Sequence, residues 1–503
     1  MRFRKEYLLL AVVLLSVFIG CKKWEDHTAV NNQDLTKDLS TAIKDEPTLS
    51  RFAELITQAG LDSLLQSSKT FTVWAPSNSA LSTLDPSVTN DINKLRSFIL
   101  NHVSYQLYFT RDAQTSKRIG MLNGKYNNFL NNKLEDATIT SADKYVKNGV
   151  LHIIDKFILV LPNLWDHINS TTAQYTQNSF IAGLNFSSFD PSLAVIDSIS
   201  SSTGLPVYHP GTGIVIKNSF NEKVFDTRME DKQYTYFIIE NAGFILKADS
   251  LKPYFKSSAT ATTDSLDKWN IVKDQVVDVL YPTVASLPAV LVSKFGVPIP
   301  IDASLITDSK KVSNGMVYVV SLSGVTTASK FRQSVVQGEA PSGFQSDKTA
   351  NTSYRVRSNP VAGQNYSDIL VSGHGVTGYY SFYRLSEMPS MKYNVYAFAV
   401  NDFQTNNMVQ SIIPVYFTAP STFTPLPCIS VQLPANTAQL SYPVPLKTAA
   451  GAYNEVFLGS FTSSLYGTLD LRLTSAGTAN PPVLGSAGTG PIVLDYLRIV
   501  PIP

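Results

Sequence analysis

Two hydrophobic periods alternate along the first 160 residues of the chain. A spacing of three or four residues predicts two helices, the first of which ends at Gly60. A period of two predicts strands in "TFTVWAP" at 70–76 and "GVLHII" at 149–154. Mixed helices and strands of this kind predict an α+β domain. The two helical faces consist of Leu49, Phe52, Leu55, Ile56 and Ala59, and of Leu95, Phe98, Ile99 and Val103.

The stretch "TFTVWAPSNSAL" at 70–81 raises the question of whether it is a site or a scaffold. Phe71 and Val73 fall on one side of the predicted strand, and Trp74 falls on the other. Ser77 is a good N-cap for a helix that begins shortly after the strand. A strand, a sharp turn and a capped helix often present a catalytic or binding group, but they also occur as plain scaffold.

An internal repeat bears on that question. "QYTYFIIENAGF" at 233–244 repeats the stretch at 70–81, and "NGMVYVVSLSGV" at 314–325 repeats "NGVLHIIDKFIL" at 148–159. Asn148 follows Phe71 by 77 positions in one copy, and Asn314 follows Tyr234 by 80 positions in the other. Two matched segments at nearly equal spacing indicate a duplicated domain.

The repeated segments resemble the first and second motifs of the fasciclin domain family. "LRSFILNHV" resembles its central segment, with His102 on the family's histidine and Asn101 where a tyrosine is usual. The resemblance covers residues 34–165, called here the first repeat, and a degenerate copy at 171–325, called here the second repeat.

The second repeat departs from the family pattern at two points. Ile238 and Ile239 stand where the first repeat has Ala-Pro, and "VVDVLYPT" supplies no histidine. Any function that needs the tyrosine and histidine of the family's central segment is therefore in doubt in the second repeat. The resemblance implies a compact α+β fold used in adhesion and matrix contacts, without catalysis. It implies that the stretch at 70–81 is mainly scaffold.

Residues 330–503 have the pattern of an all-β domain. Helical periodicity fades, and short strands alternate with Gly, Pro and Ser turns. "TLDLRLT" at 468–474 places Leu469, Leu471 and Leu473 inward. We predict an antiparallel β-sandwich, called here the sandwich.

The strands of the sandwich resemble jelly-roll domains of the carbohydrate-binding type. The resemblance identifies no ligand residue, because the binding loops of such folds vary freely. Tyrosines in turn-rich parts are candidates for stacking on sugars, although packing on the sandwich is the competing interpretation. These candidates are Tyr366, Tyr442, Tyr453 and Tyr466.

The N-terminus has the pattern of a lipoprotein signal peptide at 1–20. A basic stretch precedes a 14-residue apolar run, which is shorter than the roughly 20 residues of a membrane-spanning helix. "FIGC" resembles a bacterial lipobox, with Phe18 where leucine is usual, and it predicts lipidation of Cys21. An ordinary signal peptide with a chance cysteine is the alternative. The only other cysteine is Cys428, so an acylated chain has no partner for an internal disulfide.

Residues 21–33 are polar and read as a tether. "KKWED" at 22–26 resembles the lysine-plus-acidic signals that send some Gram-negative lipoproteins to the outer face of the outer membrane. We therefore expect a lipid-anchored, surface-exposed protein of the outer membrane.

The charge balance argues against nucleic acid as a partner. Removal of the signal peptide takes three basic residues and one acidic residue from the total of 41 and 39, which leaves 38 of each. A chain without net positive charge lacks the electrostatic footprint of a nucleic-acid-binding protein.

Three short motifs resemble catalytic or phosphate-binding signatures but stand in the wrong context. "GHGVTG" at 373–378 is followed by a predicted strand, whereas a phosphate-binding loop needs a helix there. "SADK" at 141–144 has a spacing that is common by chance in a serine-rich chain. "HPGTG" at 209–213 reads as a turn between strands rather than as an anion site.

The remaining polar and aromatic candidates favour structural roles. The six histidines never take metal-ligand spacing, and His102 and His152 read as core or hydrogen-bonded residues. We expect the tryptophans to lie in the core rather than to form sugar-binding platforms; they are Trp74, Trp165 and Trp269. We expect the carboxylates of Glu135 and Asp136 to be solvated, because acid–base catalysis needs a shared pocket that spacing alone does not show. The sequence thus predicts no catalytic, cofactor-binding or metal-binding residue and no enzyme.

Two functions remain open. The first is adhesion through contact with an extracellular glycan or a surface protein, which the fasciclin resemblance implies. The second is glycan capture beside an outer-membrane polysaccharide importer, which the tether and the jelly-roll resemblance suggest.

Overall fold

The computed structural model describes residues 33–403, 408–418, 429–432, 440–475 and 490–503. Two compact units divide the chain: the first holds residues up to 167 with 227–233 and 311–315, and the second holds the rest. The predicted signal peptide and lipidation site, the tether up to residue 32 and Cys428 lie outside the described residues. No helix in the described ranges is long and apolar enough to cross a membrane.

The first repeat is built on a seven-stranded sheet with helices at its start and centre. The strand order is β2-β1-β7-β6-β5-β4-β3, in which β1 and β7 are parallel and the other neighbours are antiparallel. The elements are α1 (Leu39–Lys44), α2 (Ser50–Gln58), α3 (Asp62–Gln66), β1 (Phe71–Pro76), α4 (Pro86–Thr89), α5 (Ile92–Leu100), β2 (Val103–Tyr105), β3 (Lys117–Gly120), β4 (Tyr126–Leu130), β5 (Lys133–Leu134), β6 (Ala137–Val146) and β7 (Gly149–Ile154).

Local chemistry sets the ends of these helices. Asp91 caps α5 by accepting hydrogen bonds from the amides of Asn93 and Lys94. Gly60 has a φ of 67°, a left-handed conformation that favours glycine, and it follows the end of α2 as predicted. Ser77 accepts a hydrogen bond from the amide of Ala80 at 3.2 Å, but the segment that it caps is a short 3-10 helix, Ala80–Thr83.

Both faces of strand β1 are buried, and each belongs to a different core. Phe71, Val73 and Ala75 pack in a cluster with α1, α2 and α5. Trp74 packs on the opposite face, in a smaller cluster with Phe129 and other residues of β3 to β6. The predicted alternation of sides is therefore confirmed, and both sides are apolar.

The second repeat has a four-stranded central sheet of order β13-β12-β17-β16. Three two-stranded pairings accompany it: β8 with β11, β9 with β10, and β14 with β15. The elements are α6 (Leu164–Ser170), α7 (Thr176–Ala182), β8 (Asn185–Phe189), β9 (Ile196–Ile199), β10 (Pro206–Tyr208), β11 (Ile214–Asn218), α8 (Ser219–Lys223), β12 (Tyr234–Ile239), α9 (Asn241–Leu251), α10 (Thr260–Val272), β13 (Val276–Val277), β14 (Val290–Val292), β15 (Pro298–Pro300), β16 (Ile306–Val312) and β17 (Gly315–Val320).

The C-terminal third is a β-sandwich, as predicted. One sheet has the order β18-β30-β23-β27, and the other has β19-β22-β28-β24-β25 with β26 also paired to β24. A three-stranded sheet, β20-β21-β29, accompanies them. The strands are β18 (Ser334–Gln337), β19 (Gly343–Phe344), β20 (Thr352–Asn359), β21 (Gln364–Val371), β22 (Tyr380–Met388), β23 (Lys392–Phe398), β24 (Met408–Thr418), β25 (Ile429–Gln432), β26 (Leu440–Val444), β27 (Val456–Thr462), β28 (Gly467–Ser475), β29 (Ile492–Leu494) and β30 (Tyr496–Ile502).

Alternate residues of both sheets fill one core. Leu469, Leu471 and Leu473 of β28 point into it, and Val395 of β23 and Leu497 of β30 meet them from the other sheet. The fold class predicted from the sequence, two α+β domains followed by an all-β sandwich, is confirmed. The domain boundaries at 34–165, 171–325 and 330–503 stay predictions.

Candidate functional site

Each repeat contains the same set of internal hydrogen bonds, made by polar side chains at matching positions. The hydroxyl of Thr72 donates to a backbone carbonyl at 2.8 Å and accepts from an amide at 2.9 Å, and Thr235 does the same at 2.7 and 2.9 Å. Asn148 accepts a hydrogen bond from the first amide of α1, and Asn314 accepts one from the first amide of α6. Because these bonds satisfy backbone groups, they are structural.

The stretch at 70–81 is accordingly scaffold rather than site. Trp74 is fully buried and packs against Phe129 and His152, each with ring centroids 5.6 Å apart. Phe237 is its counterpart in the second repeat and is buried as well. A side chain with no access to solvent cannot contact a ligand, so the expectation that Trp74 belongs to the core is confirmed.

His102 is a structural histidine in the neutral form. Its Nδ1 lies 2.8 Å from the carbonyl oxygen of Phe98, to which it donates, and its Nε2 accepts from the amide of Ile158 at 2.9 Å. Burial lowers its pKa to about 4. With both ring nitrogens engaged, His102 offers no lone pair to a metal and no proton to a substrate.

Gln275 takes the place of His102 in the second repeat. The backbone carbonyl of His102 accepts from the amide of Trp74 at 2.9 Å, and that of Gln275 accepts from Phe237 at 2.8 Å. The Gln275 side chain donates to the carbonyl of Ile271 four residues earlier, as His102 does to Phe98. Sequence reasoning missed this substitution, although "NHV" at 101–103 and "DQV" at 274–276 carry the signal.

His152 and His374 also bond to backbone groups through their rings. His152 donates from Nε2 to Tyr108 and accepts at Nδ1 from Asp143, and burial lowers its pKa. His374 donates from Nε2 to the carbonyl of Gly490. Among the described residues, no group of three or more His, Cys, Asp or Glu side chains has the arrangement of a metal site.

The three catalytic-looking motifs lie in turns and a strand. The glycine-rich segment at 373–378 leads into β22, whose first residue is Tyr380, as predicted. Residues 209–213 connect β10 to β11, also as predicted. Ser141 and Lys144 lie within β6, and no helix follows them.

Two carboxyl groups are held at raised pKa values by burial. Desolvation, together with the charges of Glu339 and Asp368, raises the pKa of Asp495 to about 7. Desolvation raises that of Asp267 to about 6. Neither carboxyl lines one of the four clefts described for this part of the chain.

A cleft of about 710 Å³ opens in the first unit. This volume lies within the range of small-molecule sites, about 300–1,000 Å³. Phe157, Ile158 and Leu161 form an apolar wall, and Asn101 and Ser313 contribute polar groups.

Each lysine that lines the cleft is paired with a carboxylate. Lys311 Nζ lies 2.5 Å from Glu135 Oε2, and Lys125 Nζ lies 2.5 Å from Glu230 Oε1. Glu135 also accepts from the amide of Asn128 and therefore is not the solvated side chain that the sequence suggested. The cleft thus offers apolar surface and hydrogen-bonding groups, with its cations neutralised.

Three of the four tyrosines that are candidates for sugar stacking are half-buried in the protein. Tyr366 is half-buried and packs edge-on against Phe398 with ring centroids 5.3 Å apart. Tyr466 is half-buried against Phe255 at 5.3 Å. Tyr453 is half-buried, and the side chain of Tyr442 lies outside the described part of the chain. Packing thus explains Tyr366 and Tyr466.

A different set of side chains crosses the outer face of the sandwich. Val335, Arg498, Tyr396 and Phe457 are direct cross-strand neighbours on β18, β30, β23 and β27, and we call them the aromatic row. Their chain neighbours Val395, Leu497 and Ile499 point into the core, so the row points outward. Phe457 is 54% exposed.

Charge fixes the geometry of the aromatic row. The Arg498 guanidinium lies 4.2 Å from the ring centroid of Tyr396 and forms a two-pronged ion pair with Glu455. The hydrogen bonds from Arg498 lower the pKa of Glu455. The rings of Tyr396 and Phe457 lie 5.2 Å apart. The row therefore combines an exposed ring with pre-arranged charged and polar groups.

Solved structures with low identity match parts of the chain. The FAS1 domain pair of the insect cell adhesion molecule fasciclin I matches at 16% identity and a TM-score of 0.23, over 56% of this chain and 98% of that one. A family 35 carbohydrate-binding module from Clostridium thermocellum matches at 16% identity and a TM-score of 0.18, over 34% and 99%. The CBM22-1–GH10 modules of xylanase 10B from the same bacterium, complexed with xylohexaose, match at 13% and 0.21, over 33% and 27%.

The family comparison assigns the N-terminal domain. No curated protein sequence matches the chain. The family model of the Fasciclin domain matches residues 47–160, which span α2, the whole of the seven-stranded sheet, and Phe157 and Ile158 of the cleft's apolar wall. The first repeat therefore contains the segment that is similar to the Fasciclin domain.

Proposed function

We propose that this protein is a non-enzymatic surface lipoprotein that mediates adhesion by binding an extracellular glycan through the sandwich. The single observation that carries the proposal is the aromatic row on the outer sheet face. The lipid anchor at Cys21, the outer membrane and the exposed location rest on the N-terminal sequence. The fasciclin domain at 47–160 supports a role in contact with other surfaces.

The row suits a sugar because it joins an apolar ring to fixed polar groups. The C–H face of a pyranose packs on an aromatic ring, and Phe457 offers such a ring. The two-pronged pair fixes Arg498 and Glu455, and Gln333 and Tyr496 bond to them as well. The donor and acceptor positions that these bonds leave over are held in place for sugar hydroxyls. Pre-arranged groups lower the entropic cost of binding.

The open shape of the row sets the expected affinity. A flat sheet face buries a smaller fraction of a ligand than an enclosed pocket does. Single-sugar binding should therefore be weak, and a polysaccharide that contacts several copies on one cell should bind through avidity. This mode suits attachment better than uptake of small sugars.

A panel of immobilised plant, bacterial and host polysaccharides tests the proposal. The soluble mature chain, residues 22–503, should bind at least one polymer, and Phe457→Ala should lose that binding. Tyr354→Ala is the matched control, because Tyr354 is an aromatic side chain of similar exposure on β20, outside the row. Binding to no polymer, or equal binding by wild type and Phe457→Ala, would refute the proposal.

Contact with a surface protein is the second candidate, and the cleft in the first unit favours it. Leu159 lines this cleft and is 64% exposed, which suits burial under an apolar peptide side chain. In cells that display the protein, Leu159→Asp should reduce cell–cell aggregation without changing glycan binding. Unchanged cell–cell aggregation in Leu159→Asp would assign adhesion to the aromatic row alone.

A further inference from the structure

One segment of the second repeat has no counterpart in the first. Helices α2 and α3 of the first repeat are joined by residues 59–61, whereas the corresponding helices α7 and α8 are joined by residues 183–218. Most of this long connection forms two β-ribbons, β8 with β11 and β9 with β10. Residues 185–216 are called here the arm. Because the first repeat folds without an arm, the fold itself does not require it.

The arm exposes an unusual amount of apolar surface. Ten of the 31 exposed large hydrophobic residues among the described residues lie on it, with exposures between 42% and 65%. On one face of the β8–β11 ribbon, Ile214 lies opposite Phe189, and Ile216 lies opposite Ser187. Phe186 lies on the other face, so both faces carry apolar side chains.

The charge of the arm limits the kind of partner. It contains no Lys or Arg, and its only acidic residues are Asp190 and Asp197. Segments that lie on membranes are typically rich in Lys and Arg, so the arm lacks the attraction to anionic lipids. A strongly acidic partner would find no lysine or arginine on the arm, and a strongly basic one would find only two carboxylates.

The open edges of the ribbons favour a second copy of the same segment. Within the described part of the chain, each arm strand pairs with one neighbour only, which leaves one edge of each strand unpaired. An unpaired edge is a template for another strand. Antiparallel pairing of two identical edges is self-complementary about a two-fold axis. Such pairing sets the two arms side by side, and the apolar faces of the arms can then pack on each other.

The exposed area is sufficient for a specific dimer. At about 60–120 Å² of apolar area for a fully exposed Val, Leu, Ile or Phe side chain, the ten residues present about 500 Å². Two arms would together bury about 1,000 Å², and the paired backbone edges would add to that area. A specific interface needs about 1,000 Å² in total.

We propose that the arm is a homodimerisation element, in which the arms of two chains pair along their open strand edges and pack the apolar side chains of both ribbons together, among them Phe189, Ile214 and Ile216. The interface is at the lower size limit for a specific complex, so we expect a dimer that dissociates on dilution. The proposal is independent of the glycan site, which lies on other strands.

Sedimentation velocity of the soluble mature chain between 1 and 100 µM tests the proposal. Reductant is present, because Cys428 could otherwise link chains. We expect the mass to double with concentration, and Ile214→Lys/Ile216→Lys to raise the dissociation constant at least tenfold. Leu246→Lys is the matched control, because Leu246 is equally exposed on α9, and it should dimerise as the wild type does.

A second variant guards against misfolding of the substituted arm. Replacement of residues 183–218 by Ala-Gly-Leu, the connection of the first repeat, should give a monomer with an otherwise unchanged circular dichroism spectrum. A wild type that stays monomeric at 100 µM, or a shortened chain that still dimerises, overturns the proposal. Arm-dependent sedimentation with phosphatidylcholine–phosphatidylglycerol vesicles overturns it in favour of a lipid surface.

Discussion

Replacement of His102 by glutamine should remove an acid-sensitive element from the first repeat. His102 is buried and neutral, with its ring bonded to Phe98 and Ile158. Gln275 occupies the corresponding place in the second repeat and bonds to Ile271 in the same direction, so glutamine fits this backbone. Because glutamine has no proton to gain, the variant isolates the titration of His102.

The size of the effect follows from the pKa of His102. Burial lowers this pKa from 6.5 to about 4, and each unit corresponds to about 1.4 kcal/mol. The folded domain therefore binds fewer protons than the unfolded chain between these two values. The free energy of unfolding contains the full contribution above pH 6.5 and loses about 3 kcal/mol of it as the pH falls to 4.

Hydrogen exchange at several pH values measures this loss in the intact chain. Peptides that cover β1 report the opening free energy of the domain after correction for the intrinsic exchange rate. Wild type should be more stable than His102→Gln at pH 7, and the difference should fall by about 3 kcal/mol by pH 4. His152 titrates in both proteins, so its contribution cancels. Parallel pH profiles would refute the reasoning.

Three further predictions test the scaffold, a buried ion pair and the anchor. Trp74→Ala should cost about 3–5 kcal/mol of unfolding free energy in chemical denaturation, because the ring is fully buried; Trp74→Phe should cost much less, and a Trp74→Ala chain of wild-type stability would contradict this. Lys330→Met should destabilise the second unit by about 3–5 kcal/mol in a calorimetric melt, since it leaves Asp274 charged and buried without the cation now 2.6 Å away. An Asp274→Asn/Lys330→Met double variant should recover most of that loss, and a failure to do so would argue against the pair as its source. Cys21→Ala should abolish incorporation of labelled fatty acid, and equal labelling of both chains would exclude the anchor.

The two repeats could be predicted from the sequence because their apolar periodicity and their matching polar residues lie within short segments of the chain. The apolar faces of α2 and α5 recur at helical spacing, and the matched strands β1 and β12 share a threonine, Thr72 and Thr235. The segment after β1 is a short 3-10 helix rather than an α-helix, and it ends because Leu84 is in an extended conformation. Gln275 was missed because its role shows only in the matched hydrogen bonds.

The candidate binding surface was beyond sequence reasoning for a physical reason. The aromatic row brings together residues 335, 396, 457 and 498, and only strand order and register make them neighbours. The turn tyrosines were prominent in the sequence, but Tyr366 and Tyr466 pack on Phe398 and Phe255. The arm was hidden as well, because alternating apolar residues usually indicate a strand with one buried face.

Calorimetric titration of the best polysaccharide from the panel tests the central claim most directly. Wild type and Tyr354→Ala should bind with dissociation constants within twofold of each other. Phe457→Ala should weaken binding at least tenfold, or about 1.4 kcal/mol, while its melting temperature stays unchanged. A Phe457→Ala chain that binds as tightly as the wild type would show that the aromatic row is not the glycan site.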